Sequence, residues 1–172
     1  TEAIPNRIDA FERMINIFLL KNRADDAIKI IEESGGSLSQ EDKAILYALV
    51  GDAYYEANEY DKALYSYQLA QGMSADNMNA SLGLAKSYLQ KGETEKSKSF
   101  LNEKYEAELL VESKLLSSYI LGLSNTKQAL ELIREVEPGD KWREAYKEWS
   151  EVLNSMSDDD LFNSAKLGKE YI

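Results

Sequence analysis

GDAYYEANEYDKALYSYQLA, residues 51–70, is the stretch whose reading decides the fold. Small side chains sit at Gly51, Ala53, Ala63 and Ala70, and tyrosines crowd between them at 54, 55, 60, 65 and 67. Two antiparallel helices need this mixture. They approach closely only where side chains are small, and bulky residues at i, i+3, i+4 spacing fill the space beside the crossing. Gly51 and Ala63 are therefore expected at the crossing, Tyr54 and Tyr67 beside it, and Asn58-Glu59 in the turn between the helices.

Moving the frame along the chain finds the same register again. FERMINIFLLKNRADDAIKII at 11–31 places Asn22 in a turn, SLGLAKSYLQKGETEKSKSFL at 81–101 places Gly92 there, and LLSSYILGLSNTKQALELI at 115–133 places Ser124 there. A last, degenerate copy carries Trp149, Leu153, Met156 and Ala165, with Asp160 in the turn and Lys169 where an apolar residue is expected. The small second-helix residue recurs at 27, 63, 97, 129 and 165, at intervals of 36, 34, 32 and 36. Nine residues before each stands a large apolar side chain: Phe18, Tyr54, Tyr88, Ile120 and Met156. Local signals agree. Gly35-Gly36 ends one helix, Ser39 followed by Gln40-Glu41-Asp42 caps the next, Asp76 and Asn77 are candidate caps for the following one, and Pro138-Gly139-Asp140 breaks the chain. Ser157 followed by Asp158, Asp159 and Asp160 reads as an N-cap with acids against the helix dipole, because a calcium loop needs alternating ligands and a glycine.

Tyr47, Val50-Gly51, Tyr54, Ala63, Tyr67 and Ala70, with Ala75 at the closing proline position, resemble the tetratricopeptide repeat. The resemblance implies an all-α fold, a right-handed α-solenoid of about five antiparallel helix pairs. It implies a single domain over 1–172, with repeats at about 8–36, 44–77, 78–109, 110–138 and 140–172, the last of them capping. In that family the first helices line a concave groove that captures a peptide or a helix of another protein. The groove positions carried over fall on Asp9, Glu12, Asn16, Leu19 and Leu20; on Ile45, Ala48, Asp52, Tyr55 and Glu56; on Asn79, Leu82, Lys86, Leu89 and Gln90; and on Val111, Lys114, Ser118, Leu121 and Gly122. Asn16, Ala48, Asp52, Tyr55, Glu56, Leu82, Lys86 and Leu89 are the expected binding set. Leu82 and Leu89 would take apolar anchors, Tyr55 would stack, and Asp52 with Glu56 would pair with lysine or arginine. The expected partner is thus an apolar segment with basic residues. The groove positions that grip a C-terminal carboxylate in chaperone-binding members carry Glu12, Asn16, Leu49, Asn79 and Gly83 here, and only Asn16 fits that use.

Trp142, Tyr146, Trp149, Leu153 and Met156 form one apolar stripe at helical spacing. The stripe either packs on the preceding hairpin or makes an interface, including a homodimer seam.

Composition narrows the chemistry. The 172 residues contain no cysteine and no histidine, so disulfides, cysteine–histidine metal sites and the commonest general acid–base side chain are all missing. No catalytic, metal or cofactor site is expected, and a glycosidase-like carboxylate pair is the one chemistry left. A net charge of −11 repels phosphate backbones and argues against a nucleic-acid partner. INIFLL at 15–20 is the longest apolar run, too short for membrane insertion. A first residue Thr1 is expected of a trimmed or processed chain, and cytoplasm and periplasm are equally compatible with the composition. The expected role is an interaction scaffold or adaptor, with secretion, pilus or envelope assembly as the setting that the resemblance suggests. A self-associating structural module and a regulatory domain of a larger enzyme are the alternatives.

Overall fold

The computed structural model describes residues 7–101, 107–122 and 143–155. The described residues form helices and connections, with no strand among them. The helices are α1 (Arg7–Leu20), α2 (Ala24–Glu33), α3 (Gln40–Glu56), α4 (Tyr60–Met73), α5 (Met78–Gln90), α6 (Thr94–Phe100), α7 (Ala107–Gly122) and α8 (Arg143–Ser155), with a short 3₁₀ turn at Gly35–Ser37. The chain divides into two compact units, Thr1–Lys91 and Gly92–Ile172, and the division falls in the turn of the third expected hairpin.

In the first unit each helix packs on the next, and α3 also packs on both α1 and α5. The hairpin turns explain how the chain reverses. Asn22, Asn58 and Gly92 all take left-handed backbone, at φ 55°, 60° and 78°. Glycine adopts this region freely and asparagine tolerates it. After α1, the Arg23 amide donates to the Phe18 carbonyl (2.9 Å) and the Asn22 amide to Leu19 (2.9 Å). After α3, the Glu59 amide donates to Tyr54 and the Asn58 amide to Tyr55, both at 2.9 Å. This pair of bonds is a Schellman motif, which satisfies carbonyls that a helix end leaves open. Asn22, Asn58 and Gly92, three of the turn residues expected from the repeat register, are therefore found where the described chain reverses.

Helix starts follow the sequence as well. Ser39 and Asp42 form a reciprocal capping box at α3, with the Asp42 amide donating to Ser39 Oγ at 3.0 Å. Of the two candidates before α5, Asn77 is the cap, accepting from the Ala80 amide at 2.8 Å. The small residues Ala27, Ala63 and Ser97 are fully buried. Their expected equivalents Ala129 and Ala165, the turn residues Ser124 and Asp160, and Met156 lie outside the described residues, as do the Pro138-Gly139-Asp140 break and the 157–160 run.

Gly51 does lie at a close approach, and what it faces is Tyr67. A Cβ on Gly51 would stand 2.6 Å from Cδ1 and Cε1 of that ring. The other side of the ring is set by Gly83 of α5, where a Cβ would overlap Cε1, Cζ and Cε2. Tyr67, on α4, is 1% exposed and thus sits against bare backbone of both α3 and α5. The core of the first unit grows around it from Ile15, Ile31, Leu46, Val50, Ala63, Ala70 and Leu84.

In the second unit α7 packs on α6. Trp149 of α8 is buried, and its indole N–H donates to Ser118 Oγ of α7 at 3.0 Å.

Candidate binding face of the first unit

Residues at positions 9, 12 and 16 of α1 and at 45, 48, 52 and 56 of α3 recur at helical spacing, so each set shares one helix face. Asp9 and Asn16 are exposed and Glu12 is half-buried. On α3, Ile45, Asp52 and Glu56 are exposed, with Ile45 keeping 45% of its surface. The face is therefore acidic with one apolar step. Ala48, Leu82 and Leu89 are closed to solvent at 3%, 3% and 2% exposure. Each is already in contact with the rest of the protein, so these three expected lining residues act as packing in this conformation. Among the described groove positions of the first unit, Ile45 and the 86% exposed Leu20 are exposed apolar side chains, and Leu19 is half-buried.

Tyr55 is the centre of the polar part. It is half-buried, and its ring carries the Lys86 ammonium 4.9 Å from the centroid. Gln90 Nε2 donates to its hydroxyl at 3.3 Å. The Tyr60 ring lies 5.5 Å away at 59°. Side chains of α4 and α5 thereby fix an aromatic ring carried by α3. One turn earlier, the Asp52 carboxylate accepts from the Tyr67 hydroxyl at 2.6 Å. The side chain that fills the α3–α4–α5 core thus ends on an acid of the exposed face, and a charge-assisted bond of this kind holds the carboxylate in place.

A second polar cluster ties the first hairpin to the second. Tyr54 of α3 is buried and donates to the Asp25 carboxylate of α2 at 2.5 Å, while Lys62 of α4 lies 5.1 Å over its ring. Lys62 also pairs with Glu59 at 2.7 Å. Burial pushes the Tyr54 phenol well up from its ordinary value, and the bond to Asp25 and the charges of Asp25 and Glu59 add to the shift. Tyr47 is pushed up by burial, then by the charges of Glu32 and Tyr65. These tyrosines are structural acids, held protonated by their surroundings.

Of the expected C-terminal interface, Tyr146 is half-buried, Trp149 is inside the second unit, and Trp142 lies outside the described residues. The position Ser118, read as groove, is fully buried as the acceptor of Trp149. The sequence reading missed the Lys86–Tyr55 contact, the Tyr67–Asp52 bond and the role of Gly83. Gly83 had a signal, since an interior helix glycine costs about 1 kcal/mol relative to alanine and points to a close approach. Among the described residues no acidic group is arranged to hold a metal ion, and no helix is long and apolar enough to cross a membrane. Compared with protein-family models, curated proteins and solved structures, the chain finds no match.

Proposed function

We propose that this chain is a non-catalytic interaction module, a tetratricopeptide-like α-solenoid that captures a segment of a partner protein on the face shared by its first helices. The observation that carries this reading is the exposed set Asp9, Asn16, Ile45, Asp52 and Glu56 on α1 and α3, two helices that pack side by side. Serial packing within the first unit, each of α1 to α4 on the next and α3 on both α1 and α5, supports the solenoid part of the reading. The acids of the face favour a segment with basic residues, and Ile45 and Leu20 favour apolar anchors on it. A non-catalytic role fits the placement of other acids at helix starts, where Asp25, Asp26, Asp42 and Asp61 lie in first turns.

A labelled peptide of two leucines flanked by arginines tests the reading by fluorescence anisotropy. Saturable binding is expected, weakened about tenfold or more by the double substitution Asp52→Lys/Glu56→Lys, since two attractive pairs become repulsive. Absence of binding, or indifference to the charge reversal, overturns it. A self-associating module is the second reading, favoured by the exposed Met14, Ile17 and Leu20 on α1. Light scattering that shows a mass growing with concentration would select it.

A further inference from the structure

We propose that Lys86 is a built-in occupant of a cation site on Tyr55, and that an arginine of the bound segment takes its place. The proposal rests on the acidic face being the binding surface. The ring is held from several sides: Gln90 bonds its hydroxyl, Tyr60 stands beside it, and its backbone belongs to α3. One face of the ring already carries a cation, because the Lys86 ammonium stands 4.9 Å from its centroid. An exposed carboxylate lies on the same helix face one turn before the ring, Asp52, and it is kept in place by Tyr67. An aromatic face with a carboxylate beside it attracts a cation.

The identity of the resident cation decides which newcomer gains. A lysine from a partner would exchange one strongly hydrated ammonium for another and gain nothing at Tyr55. A guanidinium is planar, less strongly hydrated, stacks on the ring and offers a fork of donors to the two oxygens of the Asp52 carboxylate. Lys86 sits on a flexible stem and can swing to solvent when displaced. The site therefore selects arginine over lysine, and Lys86 sets the threshold.

The test uses the full chain and two labelled peptides, two leucines flanked either by arginines or by lysines. The wild type should bind the arginine peptide about two- to fivefold tighter than the lysine peptide, the size of one exposed cation–π contact. Lys86→Gln should tighten both peptides by a similar factor and leave the arginine preference standing. Its gain should exceed that of Lys29→Gln, which removes the same charge on α2, and that excess should be lost in a Tyr55→Leu background. By NMR, the Lys86 ε-methylene signal, shifted upfield by the ring, should move to its solvent position as the arginine peptide saturates the protein. Equal affinities of Lys86→Gln and Lys29→Gln, or an unmoved ε-methylene signal at saturation, overturns the displacement while leaving the binding face standing. If neither peptide binds any variant, the face reading falls and this proposal with it.

Discussion

The ring of Tyr67 fills the space that a side chain on Gly83 would need. Gly51 leaves room for the same ring from α3, so one buried aromatic side chain fits only because two neighbouring helices each omit a side chain. The arrangement also reaches the surface, because the hydroxyl of that ring holds Asp52. Core packing and the electrostatics of the exposed face thus share one residue.

Gly83→Ala and Gly51→Ala should each lower stability by about 1–3 kcal/mol, the usual cost of overpacking a filled core. Gly72→Ala is the contrast. Nothing stands within 4 Å of its added Cβ, and it lies inside α4, so it should gain up to about 1 kcal/mol from helix propensity. Urea unfolding reads all three. Tyr67→Leu combined with Gly83→Ala should cost less than the sum of the two singles, because they act on one contact. A Gly83→Ala protein as stable as Gly72→Ala would refute the wedge.

Tyr54 gives the fold an alkaline limit. Its folded phenol is raised, so between about pH 10, where a free tyrosine titrates, and the higher folded value the native state binds the extra proton. Stability from this group is complete below pH 10 and falls as the pH rises through that window. Tyr47 shifts in the same direction and adds to the slope. Absorbance titration at alkaline pH should show phenols that ionise late, and Tyr54→Phe should remove one of them and flatten the loss of stability. If the phenol lost in Tyr54→Phe is instead one that ionises near the free value, burial and the bond to Asp25 do not raise Tyr54.

The parts of the structure that were legible in the sequence are those set by neighbours along the chain. Ser39 and Asn77 announce helix starts through their own side chains, and Asn22, Asn58 and Gly92 mark turns because few residues accept left-handed backbone. Burial at Ala27, Ala63 and Ser97 follows from recurrence. Contacts that depend on how helices slide past one another were less accessible. Gly51 reads as a close approach, yet its neighbour is Tyr67, sixteen residues on in the chain. Lys86 meets Tyr55 through the register of α5 against α3, which no local pattern states. Ala48, Leu82 and Leu89 show the same limit. A helix with neighbours on several sides is apolar around much of its circumference, so periodicity does not separate a covered face from an open one.

The left-handed turns predict an asymmetric response to substitution. Asn58→Gly and Asn22→Gly should keep or slightly raise stability, since glycine enters that region without strain. Gly92→Ala should lose about 1–2 kcal/mol for the added Cβ. Thermal melts of the three proteins suffice, and a Gly92→Ala protein that melts with the wild type would contradict the φ of 78° at that turn.

Ser66 and Ser87 are buried with hydroxyls that have no hydrogen-bond partner among the described residues. A buried unpaired hydroxyl carries a desolvation cost, so its removal relieves about 1 kcal/mol while opening very little space. Ser66→Ala and Ser87→Ala should each be neutral or stabilising in urea unfolding. A loss above about 1 kcal/mol would show that the hydroxyl has a partner after all.

Trp149 carries the test of how the C-terminal stripe is used. Its indole is 4% exposed and donates to Ser118 of α7 within the second unit. A side chain consumed inside its own chain contributes at every protein concentration, whereas one serving a dimer seam contributes in proportion to the dimer population. Trp149→Ala should therefore cost about 3–5 kcal/mol, the usual price of emptying a buried tryptophan site, with no dependence on protein concentration. Trp149→Phe keeps most of the packing and loses the donor, so it should cost about 1 kcal/mol. Denaturation midpoints that rise with protein concentration in the wild type and lose that dependence in Trp149→Ala would instead assign the residue to an interface between copies.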